Sequence, residues 1–171
     1  MTATMVVVNA GPLMVLAKLN LLHLLKQLYG RVYFAEAVYH EVVTAGMRQG
    51  YADAATLFRF LHQEGWQATP VAAVPPPILA AALDRGERDS IALALQYGAL
   101  LLIDEEVGRA AARSAGLAVR GSLGVLIAAY HSNLTSADQL RFYFAEIERR
   151  TDIWISPTLC RRLLIATLGE A

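Results

Sequence analysis

Residues 86–106, GERDSIALALQYGALLLIDEE, contain a helix, its stop signal, a buried strand and an acidic pair in unbroken order. From residue 87 to 97 the apolar positions recur at helical spacing, and Gly98 ends the run. LLLI, 100–103, is then apolar on every residue, which predicts a strand covered on both faces, as in a parallel sheet. It halts at Asp104 and Glu105. The same grammar opens the chain: MVVV, 5–8, stops at Asn9 and turns over Gly11 and Pro12 into a helix whose apolar positions recur at Leu13, Leu16, Leu19, Leu24, Leu25 and Leu28. Between these halves, RVYF (31–34) predicts a second strand. AEAVYHEVV (35–43) predicts a helix ended by Gly46, and residues 51–62 a further helix. WQATPVAAV (66–74) predicts another strand before the prolines at 75–77. LAV (117–119) reads as a short strand, and RGSLG (120–124) as a turn into helices near 122–131 and 136–150. DIWI (152–155) reads as an edge strand, and Ser156-Pro157 as the start of a last helix. Strands alternating with helices specify an α/β fold in which a central, mostly parallel sheet is flanked by helices on both faces.

Strand ends are where an open α/β sheet presents its chemistry. On its helix Glu87 shares a face with Ile91, Ala94 and Leu95, so a carboxylate is turned toward the apolar side, unless it simply favours the positive end of the helix. Glu41 lies between Val38 and Val42 on the flank of an apolar stripe, where a solvated helix acid is the plainer role. Asn9, Glu41, Glu87, Asp104 and Glu105 together form an oxygen-ligand set of the kind Mg²⁺ or Mn²⁺ requires. His23, His40, His62 and His131 lack zinc-ligand spacing.

The 171 residues, 56% apolar, suffice for one substantial core and predict a single domain, 1–171, with 155–171 as a C-terminal helical extension. Fifteen basic residues balance fifteen acidic ones, so no global field draws in nucleic acid and any contact with it is local. Arg85, Arg88, Arg109, Arg113 and Arg120 are the candidates for phosphate contacts, with ordinary solvated helix charge as the alternative for each. The single cysteine, Cys160, excludes an intrachain disulfide and fits a small buried hydrophobe. The N-terminus has no secretory pattern, and the longest uncharged stretch, 65–83, is broken by Pro70 and Pro75–Pro77. A cytoplasmic protein without a membrane span is expected. The mean hydropathy of +0.39 hints at apolar surface covered by a partner or a second copy.

In order and spacing, these motifs resemble the PIN-domain family, whose bacterial members include the VapC-like ribonuclease toxins of toxin-antitoxin pairs. VVNAGPLMVLAKLNLLHLLKQLYGRVYFAEAVYHEVV (7–43) resembles the opening of a PIN-like subgroup, and RGERDSIALALQYGALLLIDEEVGRAAARSAGLAVRGSLGVL (85–126) its second half. The resemblance implies a three-layer α/β/α fold and metal-dependent cleavage of RNA with Mg²⁺ or Mn²⁺. It also implies a small antitoxin protein as partner, and a homodimer. It places the family's acids on Asn9, Glu41, Glu87 and either Asp104 or Glu105, and its polar turn residue on Ser122, which could hold a phosphate or serve only as a helix cap. Arg88 and Arg109 are the auxiliary substrate contacts expected beside them. Asn9 and Gly11 depart from the family's acid and serine. An amide oxygen still coordinates a hard cation, but it brings no charge and accepts no proton from water. Weakened cleavage is one expectation. A catalytically inactive PIN-fold module that binds RNA or protein is the other. A strand-end aspartate phosphohydrolase is disfavoured, because the first strand lacks the nucleophilic aspartate.

Overall fold

A computed structural model describes residues 3–169. Its sheet is parallel throughout, in the order β1 (Val6–Val8), β2 (Leu100–Leu102), β3 (Val119–Arg120). Val7 pairs with Leu101, and Leu101 with Val119. The two expected strands on the other side of β1 shrink to single bridges, Val7 with Tyr33 and Ala35 with Thr69. The reason is local: a helix starts at Glu36, directly after Ala35, and Pro70 removes a donor directly after Thr69. DIWI forms no strand either. Arg150 grips Asp152 through two bonds of 2.8 Å, and Trp154 is 94% exposed, so the segment turns instead of pairing.

α1 (Ala10–Lys18) and α2 (His23–Tyr29) divide what reads as one leucine helix, because Asn20 takes a left-handed conformation at φ 58°. Leu13, Leu16, Leu24 and Leu25 are all buried. After α3 (Glu36–Tyr39) the chain widens into a π-helical segment, His40–Ala45, and runs on through α4 (Gly46–Arg48). Gly46 therefore does not end the helix. It permits close packing, since a Cβ there would stand 2.8 Å from the Ala54 Cβ on α5 (Ala52–Glu64). α6 (Pro76–Ala80) follows the prolines. α7 (Arg85–Tyr97) closes at Gly98, φ 58°, and feeds β2, after which α8 (Glu106–Ser114) leads to β3. Val7, Ile91, Leu93, Ala94, Leu101, Ile103 and Ala112 form a buried core between sheet and helices. Each Val, Leu or Ile side chain among them removed from water contributes about 1.5–3 kcal/mol.

The chain divides into two compact units, Met1–Ser122 and Leu123–Ala171. The first is the three-layer α/β/α body. The second is helical: α9 (Ser122–His131) leads into it, followed by α10 (Ala137–Arg149), which packs on α11 (Pro157–Leu168). Cys160 is buried on α11, and that desolvation pushes its thiol up to about 11. No helix among the described residues is long and apolar enough to cross a membrane.

Candidate metal centre

The carboxyl end of β1 places Asn9 at the N-cap of α1, 4% exposed, with its side chain free of any capping bond. The Ser90 hydroxyl on α7 donates to its Oδ1 at 3.1 Å, so the amide oxygen is oriented by the helix that also carries Glu87. Glu87 holds both roles that its position suggested. It is buried, at 8% exposure, and it is the third helical residue of a capping box, accepting from the Asp84 N–H at 3.0 Å while Asp84 accepts from the Glu87 N–H at 2.8 Å.

Gly86 lets these groups approach one another. A Cβ at this residue would lie 3.2 Å from Glu41 Oε2, 3.4 Å from Asp84 Oδ1 and 3.7 Å from Asn9 Oδ1. Glu41 comes from the π-helical segment, and Glu105 from the N-cap position of α8. Both are exposed residues. Desolvation raises the pKa of Glu41 above its ordinary value, and the charges of Asp84, Glu87 and Glu105 raise it further. Desolvation likewise raises Glu87; the Asp84 N–H opposes this, while the Asp84 and Glu105 charges add to it. Among the described residues no salt bridge joins Glu41, Asp84, Glu87 or Glu105 to a cation. A cavity of about 470 Å³ opens beside them, lined by His40, Glu41, Asp84, Arg85 and Gly86 among others.

Asp104 is differently placed. It follows β2, and Ser122 donates to it twice, from N–H to Oδ1 at 2.7 Å and from the hydroxyl to Oδ2 at 2.6 Å. Burial raises its pKa, against the lowering by both Ser122 bonds and the nearby Arg109 charge. Two glycines fit the backbone around it: a Cβ on Gly11 would meet Asp104 Oδ2 at 3.2 Å, and one on Gly121 would meet Oδ1 at 3.0 Å and Arg109 Nη1 at 3.3 Å. The serine expected at position 11 would therefore crowd the carboxylate.

The arginines scatter. Arg85 is exposed at the cavity, 3.8 Å from Asp89. Arg88 is half-buried, with its Nε enclosed and unpartnered. Arg113 is exposed, and Arg120 donates to the Tyr29 hydroxyl at 2.9 Å. Sequence reasoning missed Asp84, although the D-x-x-E spacing of Asp84 and Glu87 is a capping-box signal, and it missed His40, whose place at the cavity depends on the π-helical turn.

The donor set suits a hard divalent cation: it is all oxygen, and its excess negative charge is uncompensated. Among the described residues no group of three or more His, Cys, Asp or Glu side chains already converges closely enough to hold an ion. A family model described as PIN domain matches residues 5–169 of the chain. No curated protein matches it, and no solved structure does.

Proposed function

The chain belongs to the PIN-domain family, a nuclease-type fold that generally uses divalent metal ions, and on that premise we propose that it is a Mg²⁺- or Mn²⁺-dependent endoribonuclease. The observation that carries this reading is the crowding of Glu41 by the charges of Asp84, Glu87 and Glu105, with Glu41 and Asp84 lining one cavity and none of the four in a salt bridge among the described residues. The charges of Asp84, Glu87 and Glu105 raise the pKa of Glu41, and those of Asp84 and Glu105 that of Glu87; a bound cation relieves the repulsion. Glu41, Glu87, Glu105 and the Asn9 amide oxygen would hold the ion, Glu41 and Glu105 being the exposed members with freedom to move toward it. Asp104 would join them through the carboxylate that Ser122 and Arg109 fix in place. A divalent cation supplies Lewis acidity toward a phosphodiester and makes water nucleophilic at neutral pH. The chain's own groups orient and neutralise: Ser90 fixes the Asn9 oxygen, the α7 capping box fixes Glu87, and Arg85 and Arg109 offer positive charge to RNA phosphates.

Residues 1–171 act as one domain in this proposal, as a homodimer and as the toxin of a cytoplasmic toxin-antitoxin pair, with a small antitoxin protein as partner. The family resemblance supports these roles. Asn9 favours a second reading, a PIN-fold module that binds RNA or protein without cutting, because it removes one charge and one proton acceptor from the site. Incubating the purified protein with a mixed structured-RNA pool and Mn²⁺ separates the two. The nuclease reading expects cleavage that is abolished by chelation and falls at least about a hundredfold in Glu87→Gln, in line with the loss of a catalytic carboxylate. Cleavage that persists in a folded Glu87→Gln variant overturns the site. No cleavage by the wild type favours the binding module.

A further inference from the structure

A second cavity, of about 210 Å³, is walled by Tyr39, Phe58, Leu61, His62, Trp66 and Gln67. It is joined to the acidic site by one short piece of backbone: Tyr39 lines it, while the next two residues, His40 and Glu41, line the acidic cavity. Phe58 and His62 sit one turn apart on α5 and stack, their ring centroids 5.5 Å apart and their planes 21° apart. Both are exposed residues. Trp66, nearly buried, is held edge-on by Phe60 at 5.4 Å. Arg59, on the same side of α5 as His62, is exposed and has no ion pair among the described residues.

Size and chemistry together choose the occupant. Drug-sized ligands fill roughly 300–1,000 Å³, so this cavity suits a single ring system. Aromatic walls recognise a flat π-face, and the His62 imidazole and Gln67 amide at the same cavity supply a hydrogen-bonding edge that an aliphatic side chain would leave unused. Arg59, exposed and three residues before His62 on α5, carries positive charge that a phosphate of such a strand would meet. We infer that this aromatic cavity takes one unstacked base of a single-stranded RNA, the neighbouring phosphodiester being the one presented to the acidic site. The second half of that statement rests on the nuclease reading; the base-binding half does not.

Trp66 and Trp154 are the chain's two tryptophans, so Trp154→Phe leaves Trp66 as the sole reporter inside the cavity. In that background, with EDTA present, tryptophan fluorescence is titrated with AMP, GMP, CMP, UMP, a short mixed-sequence single-stranded RNA and ribose 5-phosphate. Saturable quenching is expected from the RNA and at least one nucleotide, and none from ribose 5-phosphate. Phe58→Ala and His62→Ala weaken it by about tenfold or more, as loss of a base-stacking ring does, and Phe58→Tyr restores it. The inference is overturned if no nucleotide or RNA quenches, if ribose 5-phosphate matches the nucleotides, or if both alanine variants bind as wild type. Saturation by a leucine-rich helical peptide but by no nucleotide would mark a protein-docking cavity and overturn it equally. Cleavage without quenching removes the cavity from the account and leaves the nuclease; quenching without cleavage removes the nuclease and leaves the base site.

Discussion

Asp104 and the four acids Glu41, Asp84, Glu87 and Glu105 differ in what surrounds them. Asp104 is answered by the protein: both carboxylate oxygens accept from Ser122, and Arg109 supplies charge. Asp84 and Glu87 each accept one backbone N–H of the α7 capping box, but among the described residues no cationic side chain pairs with them, with Glu41 or with Glu105, and the charges of Asp84, Glu87 and Glu105 repel that of Glu41. A carboxylate whose anion is already stabilised contributes to a rigid site. A set of carboxylates left uncompensated is poised for a cation from outside. The contrast makes Asp104 the preorganised member of the proposed ligand set and gives the other acids their dependence on an ion.

The contrast is broken most directly through two glycines. Gly121→Ala pushes a methyl against a carboxylate that Ser122 holds still, and destabilisation of about 1–3 kcal/mol is expected by denaturant titration. Gly86→Ala pushes one toward the end of Glu41, a long exposed side chain that can swing away, and the gain in helix propensity on α7 offsets the crowding. Its stability should stay within about 1 kcal/mol of wild type. Equal losses in the two variants would show that both carboxylate groups are equally fixed.

Asn9→Asp sharpens the second half of the comparison. It adds a charge 3.7 Å or so from where a Gly86 Cβ would stand, inside the uncompensated group. Calorimetric titration should show Mn²⁺ or Mg²⁺ affinity rising by about tenfold, or roughly 1.4 kcal/mol. An unchanged affinity removes Asn9 from the ligand set.

The smallest effect is one of pH. Glu41 has its pKa raised in the folded chain, so between its unfolded value near 4.5 and the raised value the folded state holds more protons than the unfolded. In metal-free protein its contribution to stability is fully present below the unfolded pKa and is lost as pH rises through the folded one. Glu41→Gln should therefore gain on wild type in melting temperature as pH climbs through that window, and Mn²⁺ should reduce the gain. A difference that does not vary with pH would place Glu41 outside the repulsive cluster.

Much of this was legible before any coordinates. The continuous apolar runs at 5–8 and 100–103 become β1 and β2, since a strand covered on both faces has no polar alternation to hide. The expected strands at RVYF and WQATPVAAV were harder. Composition predicts extended backbone, but a ladder also needs consecutive partners, and a helix start and Pro70 deny them. DIWI shows the same limit, its alternation being real and its pairing absent among the described residues. Leu13–Leu28 carries one helical period across Asn20, so the break there appears only as a backbone angle.

The sequence by itself determined the order of elements, the parallel core and the acids at the strand ends, because each of those depends on local periodicity and on which residues stop it. Tertiary structure alone decided that Ser122 binds Asp104, that Glu41 meets Asp84 over Gly86, and that the π-helical turn divides Tyr39 from Glu41 between two cavities. These relations join residues distant in the chain, or depend on how a helix turn is wound, and their energies come from electrostatics and packing at contact distance, which no spacing along one strand of text encodes.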